Sequence, residues 1–232
     1  MKTIFLVALA TIILLCSSSM VTAEEKPGMN VLNENVWNGT WATEEYTLLI
    51  LQNGSFIAGS YTPDNITARD PGLLKGTLSE DGSTFSGIWS EAGTVSLILA
   101  DDGESFSGTG TVNQEGLMEE PFTYTIHGTR EGTRQDVNNT WTGTWKTGSK
   151  TYNLTQNGTA LSGSYIPFDL DSDEPGLIDG VISEDGKIMN GTWIETGKFS
   201  FIMSDDGLTF NGTYTTELTE QAVTDSWNGI KI

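Results

Sequence analysis

Cysteine and histidine are almost missing from this chain. Its 232 residues contain one of each, Cys16 and His127. Cys16 falls in a segment expected to be removed, so the remaining product has no thiol. Disulfide stapling, thiol nucleophiles and Cys/His zinc sites are then excluded. The lone His127 has no second histidine, and no signalled nucleophile beside it, with which to build a catalytic relay. Cationic residues are also few. Lys and Arg number 11 against 31 Asp and Glu, a net charge of −20. Nucleic acid and anionic membrane surfaces are disfavoured as partners, because both require cations to displace counterions. A long apolar run occurs only near the N-terminus, and no later segment is apolar enough to span a bilayer.

That run, residues 4–16, follows Lys2 and precedes small polar residues and Val21-Thr-Ala23. It has the layout of a secretory signal peptide over 1–23, cleaved after Ala23. Leu15 is bulky where a lipid-attachment motif at Cys16 would want a small residue. The product is expected to be secreted, extracellular or held at a cell surface. Residues 24–35 show no periodicity and read as a flexible leader.

What the chain does have is a repeat. Residues 37–108 recur as 141–212 without a gap, 104 positions on, with 32 of 72 positions identical. Trp37-Asn-Gly-Thr-Trp41 returns as Trp141-Thr-Gly-Thr-Trp145, and Ser79-Glu-Asp-Gly82 as Ser183-Glu-Asp-Gly186. A fixed period means one structural unit used twice. The units are read as 36–131 and 137–232, with a linker over 132–136.

Each unit breaks into eight short runs separated by turn residues such as Asn53-Gly54, Asp81-Gly82, Ala92-Gly93 and Asp102-Gly103. Tight turns between consecutive runs predict an antiparallel meander, and no run has helical period. The economical solution is closure, which removes exposed edges. The fold is therefore expected to be all-β, two tandem eight-stranded antiparallel up-and-down β-barrels. Alternation places Trp41, Tyr61, Trp89, Trp145, Tyr165 and Trp193 on the buried face together with recurrent glycines. Those glycines have two readings: sharp strand curvature, or a hollow interior.

Gly39-Thr-Trp41 and Gly59-Ser-Tyr61, with Gly143-Thr-Trp145 and Gly163-Ser-Tyr165, resemble the GTW and GTY signatures of avidins. A first-strand G-x-W is also shared with lipocalins and the wider calycin group. The resemblance implies eight-stranded meander barrels with a small ligand at one mouth. It also implies a cation from the last strand over the motif's Trp, where Arg130 stands in the first unit and Lys231 in the second. Ala42, Thr43, Glu44 and Glu45 follow the first GTW, and Pro63 and Pro167 replace a later Ser. Of the residues by which avidins hold biotin, the Asn and Ser are thus missing and only the Tyr is retained, which argues against biotin as the ligand.

The expected function is non-enzymatic binding of a small apolar or aromatic molecule, with a cell-surface component as the other partner class. The site is expected at Trp41, Tyr61, Trp89 and Gln52, and again at Trp145, Tyr165, Trp193 and Gln156. The alternatives are a structural or adhesive envelope protein with filled barrels and, more weakly, a glycoside hydrolase-like enzyme. Glu91 and Glu195 are the carboxylates such an enzyme would use, but a repeated acidic turn reads better as a solvated hairpin. No cofactor is expected beyond Ca²⁺, for which Asp169, Asp171 and Asp173 alternate in one loop. Eight sequons, at Asn38, Asn53, Asn65, Asn138, Asn153, Asn157, Asn190 and Asn211, are glycosylation positions in a host that uses them.

Overall fold

Glycines close six of the connections between consecutive strands. Gly54, Gly82, Gly103, Gly158, Gly186 and Gly207 all adopt positive φ, between 62° and 75°, the conformation a tight hairpin needs and an L side chain resists. The structure, a computed structural model, describes residues 35–112, 120–132, 141–170, 172–216 and 224–232. The expected signal peptide, most of the leader and residues 133–136 of the linker lie outside the described residues. Residues Leu32–Ile232 form one compact unit.

All regular structure among the described residues is strand. The first repeat supplies β1 (Gly39–Ala42), β2 (Tyr46–Asn53), β3 (Phe56–Pro63), β4 (Gly72–Leu78), β5 (Thr84–Leu99), β6 (Ser105–Val112) and β7 (Phe122–Glu131). The second supplies β8 (Gly143–Lys146), β9 (Lys150–Asn157), β10 (Ala160–Pro167), β11 (Gly176–Ile182), β12 (Ile188–Met203), β13 (Thr209–Thr216), β14 (Thr224–Ser226) and β15 (Gly229–Lys231). They form one antiparallel sheet of 15 strands, compatible with a β-barrel-like fold. Among the described residues no helix is long and apolar enough to cross a membrane.

The expected hairpin at Ala92-Gly93 is not formed. β5 runs straight through it for 16 residues, and β12 does the same through Thr196-Gly197. The reason lies in how these glycines are used. Gly93 stands opposite Trp193 and Gly197 opposite Trp89 in the β5–β12 ladder. A Cβ on Gly93 would lie 2.5 Å from the Trp193 indole nitrogen, and one on Gly197 2.6 Å from that of Trp89. Each glycine is a bed for a tryptophan from the other repeat rather than a turn residue.

The ladder joining β5 to β12 therefore couples the repeats, from Ile188↔Ile98 through Ile202↔Thr84. From β1 the pairings pass through β2, β3, β4 and β5 to β12, β13 and β15, and return to β1. From β8 they pass through β9, β10, β11 and β12 to β5, β6 and β7, and return to β8. The two circuits are uneven: β15 is held to β1 and to β13 by two residue pairs each. Two tandem eight-stranded barrels, one from each repeat, are not shown.

The cores record the same exchange. One cluster combines Trp37, Trp41, Leu48, Ile50, Tyr61, Phe85 and Trp89 with Phe199, Phe201, Phe210 and Trp227. The other combines Val95, Leu97, Phe106 and Ile126 with Trp141, Trp145, Tyr165 and Trp193. The cations implied by the calycin likeness are exchanged too. Arg130 lies over Trp145, 4.1 Å from the ring centroid, and Lys231 over Trp41 at 5.2 Å. Alternation assigned the inward faces correctly, since all six named aromatics are buried. The inward glycines serve close approach. A Cβ on Gly87 would stand 2.0 Å from the Lys75 carbonyl oxygen, and one on Gly72 would meet the Tyr61 hydroxyl oxygen at 2.1 Å.

Candidate functional site

Because odd-numbered residues of β5 keep one face inward along its whole length, Glu91 is carried inside at the middle of the strand. Its copy Glu195 is carried inside at the middle of β12, directly opposite it in the ladder. The two are 6% and 2% exposed, so they are not the solvated hairpin acids expected from the sequence. The extended course of β5 and β12 removes that turn and brings both acids under the loops that precede Pro71 and Pro175.

Each glutamate is met by a tyrosine from its own repeat. Tyr61 Oη donates to Glu91 Oε1 at 3.0 Å, and Tyr165 Oη donates to Glu195 Oε1 at 2.8 Å. The loops add further carboxylates. Asp70, Glu91 and Glu195 bring carboxylate oxygens within 4.8 Å of one another, as do Asp173, Glu174 and Glu195. These are the described groups whose oxygens lie close enough together to share a cation. Of the residues expected to hold calcium, Asp169 is exposed, Asp171 lies outside the described residues, and Asp173 pairs with Lys150 at 3.0 Å.

Burial controls the charge state of this cluster. Desolvation, reinforced by Glu174, Glu195 and Asp70, holds Glu91 well above the usual carboxylate range. Desolvation pushes Glu195 up to about 8 against the pull of Lys150, with Asp173 and Glu174 adding to the rise. Glu174 is pushed up to about 7 and Asp70 to about 6, again chiefly by burial. Burial opposes the charge on Lys150, but Glu195 and Asp173 outweigh it and hold its ammonium protonated.

Above Glu91 the first circuit opens into a cavity of about 240 Å³. Its walls are Tyr46, Tyr61, Trp89, Tyr214 and Trp227, with Glu91 and Glu174 at the polar side. Trp227 sits between β14 and β15, where its backbone N–H donates to the Gly212 carbonyl at 2.8 Å. Its ring meets Tyr61 at 5.1 Å and Tyr46 at 5.7 Å, and its buried indole nitrogen has no hydrogen-bond partner among the described residues. Trp89 Nε1 donates to the Thr215 carbonyl at 3.1 Å. Arg69 also borders the cavity but is directed to Glu45 at 3.1 Å and to the Ser172 carbonyl at 3.1 Å.

Of the site residues expected in the first unit, Tyr61 and Trp89 line this cavity. Trp41 packs between Trp37 and Phe210 and does not. Gln52 lies elsewhere: its Oε1 accepts from the Trp37 N–H at 3.2 Å and its Nε2 donates to the Gly54 carbonyl. Gln156 repeats this with Trp141 and Gly158. In the second unit Trp145 packs on Phe106 and Trp141, Trp193 lies over Gly93, and Tyr165 carries Lys150 above its ring, 4.6 Å from the centroid. His127 is exposed on β7. Asn53, Asn65, Asn153, Asn157, Asn190 and Asn211 are exposed and Asn38 is half-buried, while Asn138 lies outside the described residues.

Sequence reasoning passed over Tyr46, Asp70, Lys150, Glu174, Tyr214 and Trp227. One signal was present: an acid stands immediately before Pro-Gly in both copies, as Asp70-Pro-Gly72 and Glu174-Pro-Gly176. No family model, curated protein or solved structure matches the chain.

Proposed function

We propose that the protein is an exported, non-enzymatic binding protein of barrel architecture, holding one small ligand in the aromatic cavity of its first circuit. Each circuit of pairings is read as an eight-stranded barrel built from halves of both repeats. The avidin and calycin likeness of the GTW motifs agrees with a ligand at one mouth. The observation that carries the reading is the cavity itself. It offers an aromatic wall with a few convergent polar groups, the usual composition of a small-molecule site. An enzymatic reading is less well supported. Glycoside hydrolysis needs two carboxyl groups flanking the bond; of the Glu91–Glu195 pair read from the sequence only Glu91 lines the cavity, the second buried acid there being Glu174.

Saturation-transfer NMR with benzyl alcohol, a neutral probe of about the cavity's size, tests this reading. Transfer to the probe is expected, and it should be lost in Ser226→Trp, a substitution at the rim. Equal transfer in both proteins, or none in either, argues against the cavity as a ligand site.

The envelope reading has its own observation. The outer face of the β5–β12 ribbon exposes Ile88, Ile98, Ile194 and Ile202, an apolar row suited to self-association. Concentration-dependent sedimentation that disappears when Ile98 and Ile202 are changed to Thr would favour it.

A further inference from the structure

The two mouths share a Tyr–Glu pair, Tyr61–Glu91 in the first and Tyr165–Glu195 in the second, and differ in what meets it. In the second, the Tyr165–Glu195 pair holds an ammonium: Lys150 Nζ lies 3.3 Å from Glu195 Oε1, 3.0 Å from Asp173 Oδ2 and 4.6 Å from the centre of the Tyr165 ring. Lys150 is the first residue of β9. The residue 104 positions earlier is Tyr46, the first residue of β2. The Tyr61–Glu91 pair is retained there, but its tethered ammonium is gone and the cavity lies above it.

We propose that the first mouth binds a small primary organic ammonium, which makes with Glu91 and Tyr61 the contacts that Lys150 makes with Glu195 and Tyr165. The proposal rests on the ligand-binding reading of the cavity and names the chemical class of its ligand.

The surroundings fit that class. Among the described residues Glu91 has the Tyr61 hydroxyl as hydrogen-bond partner and no ion-pair partner. The copy of Asp173 is Arg69, whose guanidinium is turned to Glu45 and Ser172. The second carboxylate of the first mouth comes instead from Glu174 of the other repeat. Five aromatic rings complete the wall, and aromatic faces attract a desolvated cation. A cavity of about 240 Å³ has room for about eight water-sized groups at ~30 Å³ each, enough for an ammonium with a short alkyl or benzyl group. An anion would meet Glu91 and Glu174, and the cation bordering the cavity among the described residues, Arg69, is directed to Glu45 and Ser172.

Three probes of one shape separate the possibilities: benzylammonium, benzyl alcohol and benzoate, titrated calorimetrically into the purified protein. Benzylammonium is expected to bind one site at least tenfold more tightly than benzyl alcohol, and benzoate not to bind. Glu91→Gln should remove that tenfold preference. Tyr46→Lys, which restores the tethered ammonium of the second mouth, should abolish benzylammonium binding; near-ultraviolet circular dichroism reports whether either variant has kept its fold. The wild-type series decides even where a variant does not fold. Benzyl alcohol binding as tightly as benzylammonium overturns the ammonium assignment and leaves the binding function standing. Failure of all three probes to bind removes both.

Discussion

Glu91 stands opposite Glu195 in the β5–β12 ladder, so the residue faces its own copy from 104 positions further along the chain. The ladder register is symmetric about this pair, since Ile188↔Ile98 on one side is answered by Ile202↔Thr84 on the other, 104 positions apart residue for residue. Two acids are thereby forced together where neither can leave, in a place that solvent hardly reaches.

The first consequence is a stability that declines with pH. Burial pushes Glu195 up to about 8, Glu174 to about 7 and Asp70 to about 6, each above its ordinary value, and holds Glu91 well above the usual carboxylate range. Groups raised in the folded state bind more protons there than in the unfolded chain. Their contribution is full below about 4.5 and is lost as pH rises through the folded values. The melting temperature should fall between pH 5 and pH 8. Replacing Glu91 and Glu195 together by Gln should flatten that fall. A melting temperature that rises across this range would contradict the assignment.

The second prediction concerns the exchange of strands. An isolated second repeat, residues 137–232, lacks the β5, β6 and β7 segments that complete its core. It is expected to associate as a dimer, each copy lending the C-terminal half of β12 and β13 to the other. Light scattering after gel filtration would show this. A folded monomer would mean that Thr196-Gly197 can turn back on itself and that each repeat closes alone.

Much of the fold could be read directly from residue order. Period-two alternation placed Trp41, Trp89 and Trp145 inward, and Asn-Gly and Asp-Gly marked the hairpins that are found. Ala92-Gly93 misled because a glycine that turns the chain and a glycine that receives an indole look alike in sequence. Nor could local pattern choose between partners. The repeats share the same alternation, so β5 pairs as acceptably with a strand of the other unit as with its own. The site was legible in half. Tyr61 and Trp89 followed from alternation, while Glu174 and Trp227 reach the first mouth only through the exchange, which places parts of the second repeat there.

Third, Trp145→Ala should destabilise the protein by ~3–5 kcal/mol, the range for truncating a large buried aromatic. The loss includes the packing of Arg130, whose guanidinium covers the ring. Because β5 and β12 run through both cores, denaturant unfolding followed by fluorescence and by far-ultraviolet circular dichroism should remain one coincident transition. Two separated transitions would mean that the cores are energetically independent.

Fourth, Lys150→Ala leaves Asp173 and Glu195 without their cation. Breaking a buried pair from one side costs about 3–5 kcal/mol. The cost should be greater at pH 8 than at pH 5, where Glu195 is protonated. Millimolar propylammonium should restore part of the lost melting temperature in this variant, and propanol should not. Equal effects of the two additives would show that the space is filled without regard to charge.

The exchange of Tyr46 for Lys150 has a further meaning. Two identical chains that swapped strands in this way would form a dimer with matching mouths, and any substitution in one would appear in the other. Joining the copies into one polypeptide lifts that constraint. One mouth can keep an ammonium of its own as a permanent structural plug while the other is free to receive a visitor. On the proposed reading, the protein carries beside the candidate site an internal replica of its occupied state.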